Sequence, residues 1–261
     1  MIDFLFIISY NGKKIYSTFM NLEEAYSLVE ETKKTYNLIS SHFHQTRQKL
    51  WQELEDLKHF FFKGQNVLDF GCGNGRFYSL IQDKNINYYG ADISENLITL
   101  AQKQIPQGKF TVLDSTLTLP YQDNFFDNIV CIATLHHIPS KELRRKLVLE
   151  FKRVLKNNGV LIITVWDFYR GKNLKYLFSG YYKWLKHLLL SQNPKLERGD
   201  LFMPWKDNNG QIVAQRFFHA FSLKELRTLI KKEGFKIKEL KLLSHNTQKQ
   251  YFNILLVGRK I

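Results

Sequence analysis

The sequence is short of cysteine, proline and acidic residues, and it has no long uninterrupted apolar run. Two cysteines in 261 residues cannot staple a chain of this size, which excludes a disulfide scaffold. No stretch approaches the ~18 uncharged apolar residues that a membrane-crossing helix needs. Only 5 residues are proline, whereas 44% are hydrophobic and 15% aromatic; a disordered chain would be poor in apolar side chains. The opening segment Met1–Ile8 is apolar but short. It carries Asp3, has no Lys or Arg ahead of its apolar run, and is followed by no small-residue cleavage pattern, so it does not read as a secretory signal. With neither signal nor disulfide framework the expected location is cytoplasmic, with Cys72 and Cys131 as reduced thiols in apolar surroundings. The length suits one large core or at most two small ones.

What is abundant is positive charge. Lys plus Arg number 38 against 24 acids, a formal charge of +14. An excess of that size points to a polyanion such as nucleic acid, or to an acidic membrane surface. No Cys/His cluster has metal-ligand spacing, so no metal is expected.

Residues 4 to 20 read as a hairpin around Asn11-Gly12. Asn21 with Glu24 reads as a helix cap with its capping-box partner, and helical spacing continues with interruptions from Leu22 to Phe61. From Gly64 onward short apolar strands alternate with helices. Strands are expected at 66–70, 88–92, 109–114, 127–133 and 160–166. Helices are expected to about Gln82, from Ser94, and from Ser140 to about Leu155, the last closed by Gly159 as a C′ glycine. Residues 167 to 215 break the alternation. A helix capped by Ser222 and ended by Gly234 follows, then strands at 236–243 and 252–259. This pattern predicts an α/β fold, a doubly wound and mostly parallel seven-stranded sheet, Rossmann-like, with a helical insertion after the fifth strand. Residues 1–35 are expected to be an N-terminal extension and 36–261 the domain, with a basic, aromatic-rich insertion at about 167–215.

The sharpest motif is Val67-Leu-Asp-Phe-Gly-Cys-Gly-Asn-Gly75. A glycine-rich turn between strand and helix lets a ligand approach the backbone. An acid about 20 positions later, Asp92, is placed for ribose hydroxyls. The segment V-L-D-x-G-C-G-x-G resembles motif I of the class I S-adenosylmethionine-dependent methyltransferases. Gly90-Ala-Asp-Ile-Ser94, Asp114-Ser115, the strand ending at Ala133 with Leu135-His-His-Ile138, and Val154 to Ile163 follow in that family's order. The resemblance implies S-adenosylmethionine as cofactor and S-adenosylhomocysteine as product. It also implies a binding set of Asp69, Gly71, Gly73, Gly75, Asp92, Ile93, Asp114 and Ser115, with Arg47 at the cofactor or substrate carboxylate. The turn needs no Lys or Arg within it, because no phosphate is bound there.

Asp200-Leu-Phe-Met-Pro-Trp-Lys206, Arg216-Phe-Phe-His-Ala-Phe221 and the passage from Tyr36 to Arg47 resemble a narrower group. These are the tRNA methyltransferases that esterify the carboxymethyl group on the wobble uridine. The resemblance implies tRNA, through its anticodon arm, as substrate and a small zinc-binding activator protein as a partner. A carboxylate is already anionic, so its methylation needs orientation rather than a general base. Arg216 and His219 are the candidates to hold it. His136 and His137 follow the fourth strand at the carboxyl edge, where one of the two is expected to face the pocket, with His136 taken as the candidate. Trp166 and Trp205 could stack on bases. Lys175 and Lys183, among the aromatics of the insertion, suit an RNA backbone or an acidic membrane surface. Two other functions fit the composition: a small-molecule methyltransferase of the quinone or lipid type, and a non-catalytic RNA-binding scaffold.

Overall fold

The computed structural model describes residues 20–190, 196–244 and 252–261. The hairpin expected at 4–20 and the loop at 245–250 lie outside the described residues.

Helix α1 (Leu22–Thr46) has the expected N-cap, the Asn21 side chain accepting the Glu24 N–H, with Glu23 and Glu24 placing negative charge at the positive end of the helix. The reciprocal bond of a capping box is not among those of the described residues, and Glu24 Oε2 is buried without a partner. A 3-10 segment (Gln52–Phe60) leads to β1 (Asn66–Phe70), α2 (Tyr78–Ile81), β2 (Asn87–Asp92), α3 (Glu95–Gln104), β3 (Lys109–Val112), β4 (Phe126–Ile132), α4 (Lys141–Val154) and β5 (Leu155–Trp166). The insertion holds α5 (Leu174–Leu190), β6 (Asp200–Lys206) and β7 (Ile212–His219), and the chain closes with α6 (Leu223–Lys232), β8 (Phe235–Ser244) and β9 (Phe252–Lys260).

Seven strands form one sheet in the order β3-β2-β1-β4-β5-β9-β8, with β6 and β7 in a separate two-stranded sheet. β1 to β5 run parallel, and β9 lies antiparallel between β5 and β8. Strand alternation divides the apolar side chains cleanly. Leu68, Phe70, Ile129, Cys131, Leu161 and Ile163 pack on one face with α1, α4 and α6. Val67, Val130, Ile132, Ile162 and Leu255 pack on the other with the 3-10 segment and α2. Both faces are covered, which is why these strands read as apolar runs.

Four expectations change. The domain does not begin at residue 36: α1 passes through that point unbroken, and Met20, Ala25 and Val29 belong to the main core. The helix expected to reach Gln82 is a single turn, Tyr78–Ile81, followed by a 3-10 turn to Lys84. Gly159 does not close α4. Leu155 is already the C-cap, and the left-handed residue in the following bend is Asn158, at φ +62°. The insertion is a helix plus a β-hairpin reaching His219. The hairpin and α5 carry a small core of their own, with Phe168, Leu177, Leu201 and Phe218.

Candidate active site

A cavity of about 550 Å³ opens at the carboxyl ends of β1, β2, β4 and β5, roofed by α1 and the hairpin. This is where open α/β sheets take their ligands. Its floor is the turn after β1. Gly71 and Gly73 have φ of +70° and +55°, and a Cβ on Gly71 would come within 2.2 Å of the Thr134 side chain. Any side chain there would be strained and would fill the space left open along the backbone.

Two buried carboxylates border the turn. Asp92 is tied to it: Oδ2 accepts the Gly73 N–H at 2.8 Å, and Oδ1 accepts the Ser94 N–H at 2.9 Å. Burial raises its pKa, against those bonds. Asp69 accepts the Tyr88 hydroxyl at 2.6 Å. Burial carries its pKa up to about 7, the Tyr88 bond opposing. Among the described residues no salt bridge reaches Asp69. On the turn itself, Asn74 lines the same cavity, and its Oδ1 is buried without a hydrogen-bond partner among the described residues. A floor with a buried carboxylate that feels the charge of Arg76 but forms no salt bridge among the described residues, an unpartnered acceptor and side-chain-free backbone fits a ligand carrying an ammonium group, as the methionine part of S-adenosylmethionine does. Ile93, Leu97, Leu113 and Leu117 supply an apolar wall.

The other wall is cationic and aromatic. Arg216, 6% exposed, has its guanidinium carbon 4.7 Å from the Trp205 ring, 5.1 Å from Phe218 and 5.9 Å from Trp166. Its Nε is buried and unpartnered, and among the described residues no carboxylate forms a salt bridge with it. Arg47 sits 5.4 Å from the same Trp205 ring, and burial together with Arg216 lowers its pKa. Arg76 also lines the cavity; burial first, and Arg47 second, bring it down to about 10.

Asp69, Gly71, Gly73, Asp92, Ile93, Arg47, Arg216 and Trp166 thus line one cavity. Trp205 lies just behind, as the platform under both arginines. The remaining expected residues stand elsewhere. Gly75 turns away, and the space beside its Cα is filled by Ile105 and Ala101 of the α3 side. Asp114 is exposed and closes a turn on the Thr116 N–H, so with Ser115 it stays off the cavity while Leu113 and Leu117 line it. His136 is fully buried, accepts the Trp166 N–H at Nδ1 (3.1 Å) and stacks on Phe218. It does not reach the cavity, whereas its neighbour His137 does. His219 is also buried off the cavity, between Asp200 (2.7 Å) and Glu225 (2.8 Å), so it holds the hairpin to α6 instead of contacting a ligand. Lys175 and Lys183 are exposed on α5, with their ammonium groups over Tyr176 and Phe202. Of the pair His136-His137, one of which was expected to face the pocket, it is His137 that does; residues missed from sequence include Tyr36, Arg76, Thr134, Met203 and Asn253. For Tyr36 and Arg76 a signal existed, since both lie in or beside the quoted motifs. Among the described residues no cluster suited to a metal ion occurs, and no helix is long and apolar enough to cross a membrane.

The comparisons agree with this geometry. A family model described as a methyltransferase domain matches residues 68–163. The tRNA (carboxymethyluridine(34)-5-O)-methyltransferase of Schizosaccharomyces pombe is 30% identical over 217 residues, 80% of this chain and 90% of the relative. The Arabidopsis thaliana protein of the same name is 33% identical over 133 residues; the match takes 51% of this chain and 32% of the relative, so this chain spans about a third of that relative's length. Among solved structures, a SAM-dependent methyltransferase from Methanosarcina mazei superposes with a TM-score of 0.63 at 21% identity, covering 82% of this chain and 99% of that one. A methyltransferase in complex with the Haloferax volcanii Trm112 methyltransferase activator gives 0.55 at 15% identity, covering 84% and 92%. At these identities the structural likeness is one of fold.

Proposed function

The chain belongs to the tRNA (carboxymethyluridine(34)-5-O)-methyltransferase family of S-adenosylmethionine-dependent methyltransferases, and on that premise we propose that it converts the carboxymethyl group of a wobble uridine in tRNA to its methyl ester. The observation that carries this reading is Arg216: a buried guanidinium at the cavity wall, stacked among three aromatic rings and left without an acidic partner.

Bound S-adenosylmethionine supplies an electrophilic sulfonium methyl and leaves as S-adenosylhomocysteine. One carboxylate oxygen lone pair forms the new C–O bond as the C–S bond breaks, and no proton moves. The protein's task is therefore to bind, aim and exclude water. Arg216 can meet the second carboxylate oxygen by charge-assisted hydrogen bonds, with stacked rings holding its plane. Asp69 and Asp92, which border the glycine turn, would hold the cationic and hydroxyl-bearing parts of the cofactor. Trp166, half-buried at the wall, offers a stacking face for an extruded base.

The wider surface suits tRNA. On α5, Lys175, Lys183 and Lys186 are exposed beside Phe178 (63%) and Tyr182 (70%), a mixture that can hold phosphates and stack exposed bases. The family resemblance adds a small zinc-binding activator protein as a further partner.

The test is transfer of labelled methyl from S-adenosylmethionine to tRNA containing carboxymethyluridine, followed by mild alkali. Label released as methanol is the expected result. Label in tRNA that survives alkali overturns the ester, because methyl on nitrogen, carbon or ribose oxygen does not hydrolyse.

A further inference from the structure

Tyr36 stands on α1, remote in sequence from the hairpin, yet the hydroxyl of this half-buried side chain lies 2.8 Å from Nε2 of His137. The other ring nitrogen of His137, Nδ1, lies 2.8 Å from the Phe217 carbonyl. A carbonyl only accepts, so Nδ1 carries the proton. Burial brings the His137 pKa down to about 3, so near neutral pH the ring is uncharged and has that one N–H. Nε2 is then an acceptor, and the hydrogen between the two side chains belongs to Tyr36.

A phenol has one hydrogen, and this one is spent. Toward its remaining neighbour Tyr36 presents oxygen lone pairs alone. That neighbour is Arg216. Burial raises the Tyr36 pKa, while the positive charge of the nearby Arg216 guanidinium draws it back; both side chains line the same cavity. The Phe217 carbonyl belongs to the residue that follows Arg216, so two bonds run from β7 to His137 and on to Tyr36, and Tyr36 and Arg216 face the same cavity.

We propose that Tyr36 is a positioning residue: locked as a donor to His137, its oxygen accepts from Arg216 and fixes the rotation of the guanidinium, leaving the other N–H groups aimed at a carboxylate in the cavity. The inference rests on the reading of Arg216 as the carboxylate's partner. The same lock bars Tyr36 from donating to the substrate, so it acts only through Arg216. Nothing in the family resemblance or in residue spacing indicated this role; it follows from counting one hydrogen.

The experiment compares ester formation by the full chain, Tyr36→Phe, Arg216→Lys and the double variant, on tRNA containing carboxymethyluridine. S-adenosylhomocysteine binding and thermal unfolding are followed alongside. Tyr36→Phe removes one oxygen and keeps the ring. It is expected to lower kcat about tenfold, with KM for tRNA and the S-adenosylhomocysteine Kd within about twofold. In the Arg216→Lys background the same change is expected to cost little more, because its effect passes through the lost guanidinium. Nitrogen-15 spectra of His137 in the unaltered protein are expected to show the neutral Nδ1–H tautomer. Equal losses from Tyr36→Phe in both backgrounds, wild-type kcat in Tyr36→Phe, or the Nε2–H tautomer would each overturn the proposal while leaving the carboxylate reading intact. Unaltered ester formation in Arg216→Lys would remove the carboxylate reading itself, and this inference with it. The tautomer is read on the unaltered chain, so the proposal stays testable should Tyr36→Phe fold poorly.

Discussion

Arg216 and His219 stand three residues apart on one strand and meet opposite surroundings. An odd spacing on a strand places side chains on opposite faces. Arg216 looks into the cavity, ringed by Trp205, Phe218 and Trp166 and free of acids among the described residues. His219 looks the other way, between Asp200 and Glu225. Asp200 also accepts the Glu197 N–H at 2.7 Å, and Glu197 in turn pairs with the buried Arg144 at 2.8 Å. A buried cation supplied with carboxylates holds elements together. One denied them beside a cavity is a standing cost to the free protein, offset when an anion arrives. The comparison says which cation serves chemistry and which serves the fold.

The most direct way to break that distinction is to delete each cation in turn. Arg216→Ala is expected to reduce kcat/KM for ester formation by about 10²–10³-fold, the scale for removing one preorganised charge from a developing transition state. S-adenosylhomocysteine affinity and unfolding free energy should change little, since no protein acid loses its partner. His219→Asn is expected to do the reverse, costing about 3 kcal/mol of stability by breaking a buried charged network. The loss should depend on pH. Burial and Arg144 push the His219 pKa down, but the bonds and charges of Asp200 and Glu225 outweigh them and leave it raised. A raised imidazole contributes its full stabilisation below the ordinary range near ~6.5 and loses it as pH rises through the folded value. Urea unfolding at pH 6 and at pH 9 should therefore show the larger deficit at pH 6. Equal deficits would mean an uncharged His219 and would erase the contrast with Arg216.

Much of this was legible beforehand, and the failures have physical causes. The alternation of short apolar strands and capped helices gave the parallel sheet, because strands buried on both faces leave an unmistakable apolar run. The floor of the site was equally plain, since a turn that places backbone against a ligand needs glycine and its flanking acids need fixed places. The hairpin was not. Pro204 within β6 argues against a strand, and it is tolerated because β6 belongs to a two-stranded sheet in which every strand is an edge. Strand parity, had β7 been recognised, would have set His219 apart from Arg216. Parity could not separate His136 from His137, because both lie in a 3-10 turn (Leu135–His137) entered through Ala133 at φ +52°. Asp114 misled for a local reason: an Asp with Thr two residues on closes its own turn.

Asp69 sharpens the comparison with the opposite sign, as a second buried group at the same cavity with no ion pair among the described residues. With its pKa at about 7, the free protein holds a proton that the unfolded chain releases near ~3.9. Its stability should therefore fall as pH rises from about 4 to about 7. A ligand ammonium favours the ionised form, so calorimetric titration with S-adenosylhomocysteine should give about tenfold tighter binding at pH 8 than at pH 6. Asp69→Asn should bind more weakly and lose most of that slope. A slope as steep in the variant as in the unaltered protein would show that Asp69 is not the group titrating against the ligand, and would leave Arg216 as the one reserved charge.

The smallest effects belong to charges that are exposed and, among the described residues, form no salt bridge. Lys175 and Lys183 stand on the solvent side of α5, outside the cavity, so they can touch only the parts of a large substrate that lie beyond the reacting base. Their contribution should be additive, insensitive to sequence and weakened by salt. Reversing both, as Lys175→Glu with Lys183→Glu, is expected to weaken tRNA binding and to make the dependence of log K on log salt shallower by about 2, one per lost phosphate contact. Cofactor binding should be untouched, which separates this surface from Arg47 and Arg76 at the cavity. An unchanged salt slope would take α5 off the tRNA path. The exposed Phe178, Tyr182 and Leu185 would then need a partner of another kind, and the division would fall between cations that meet the reacting group and cations that only keep the surface in solution.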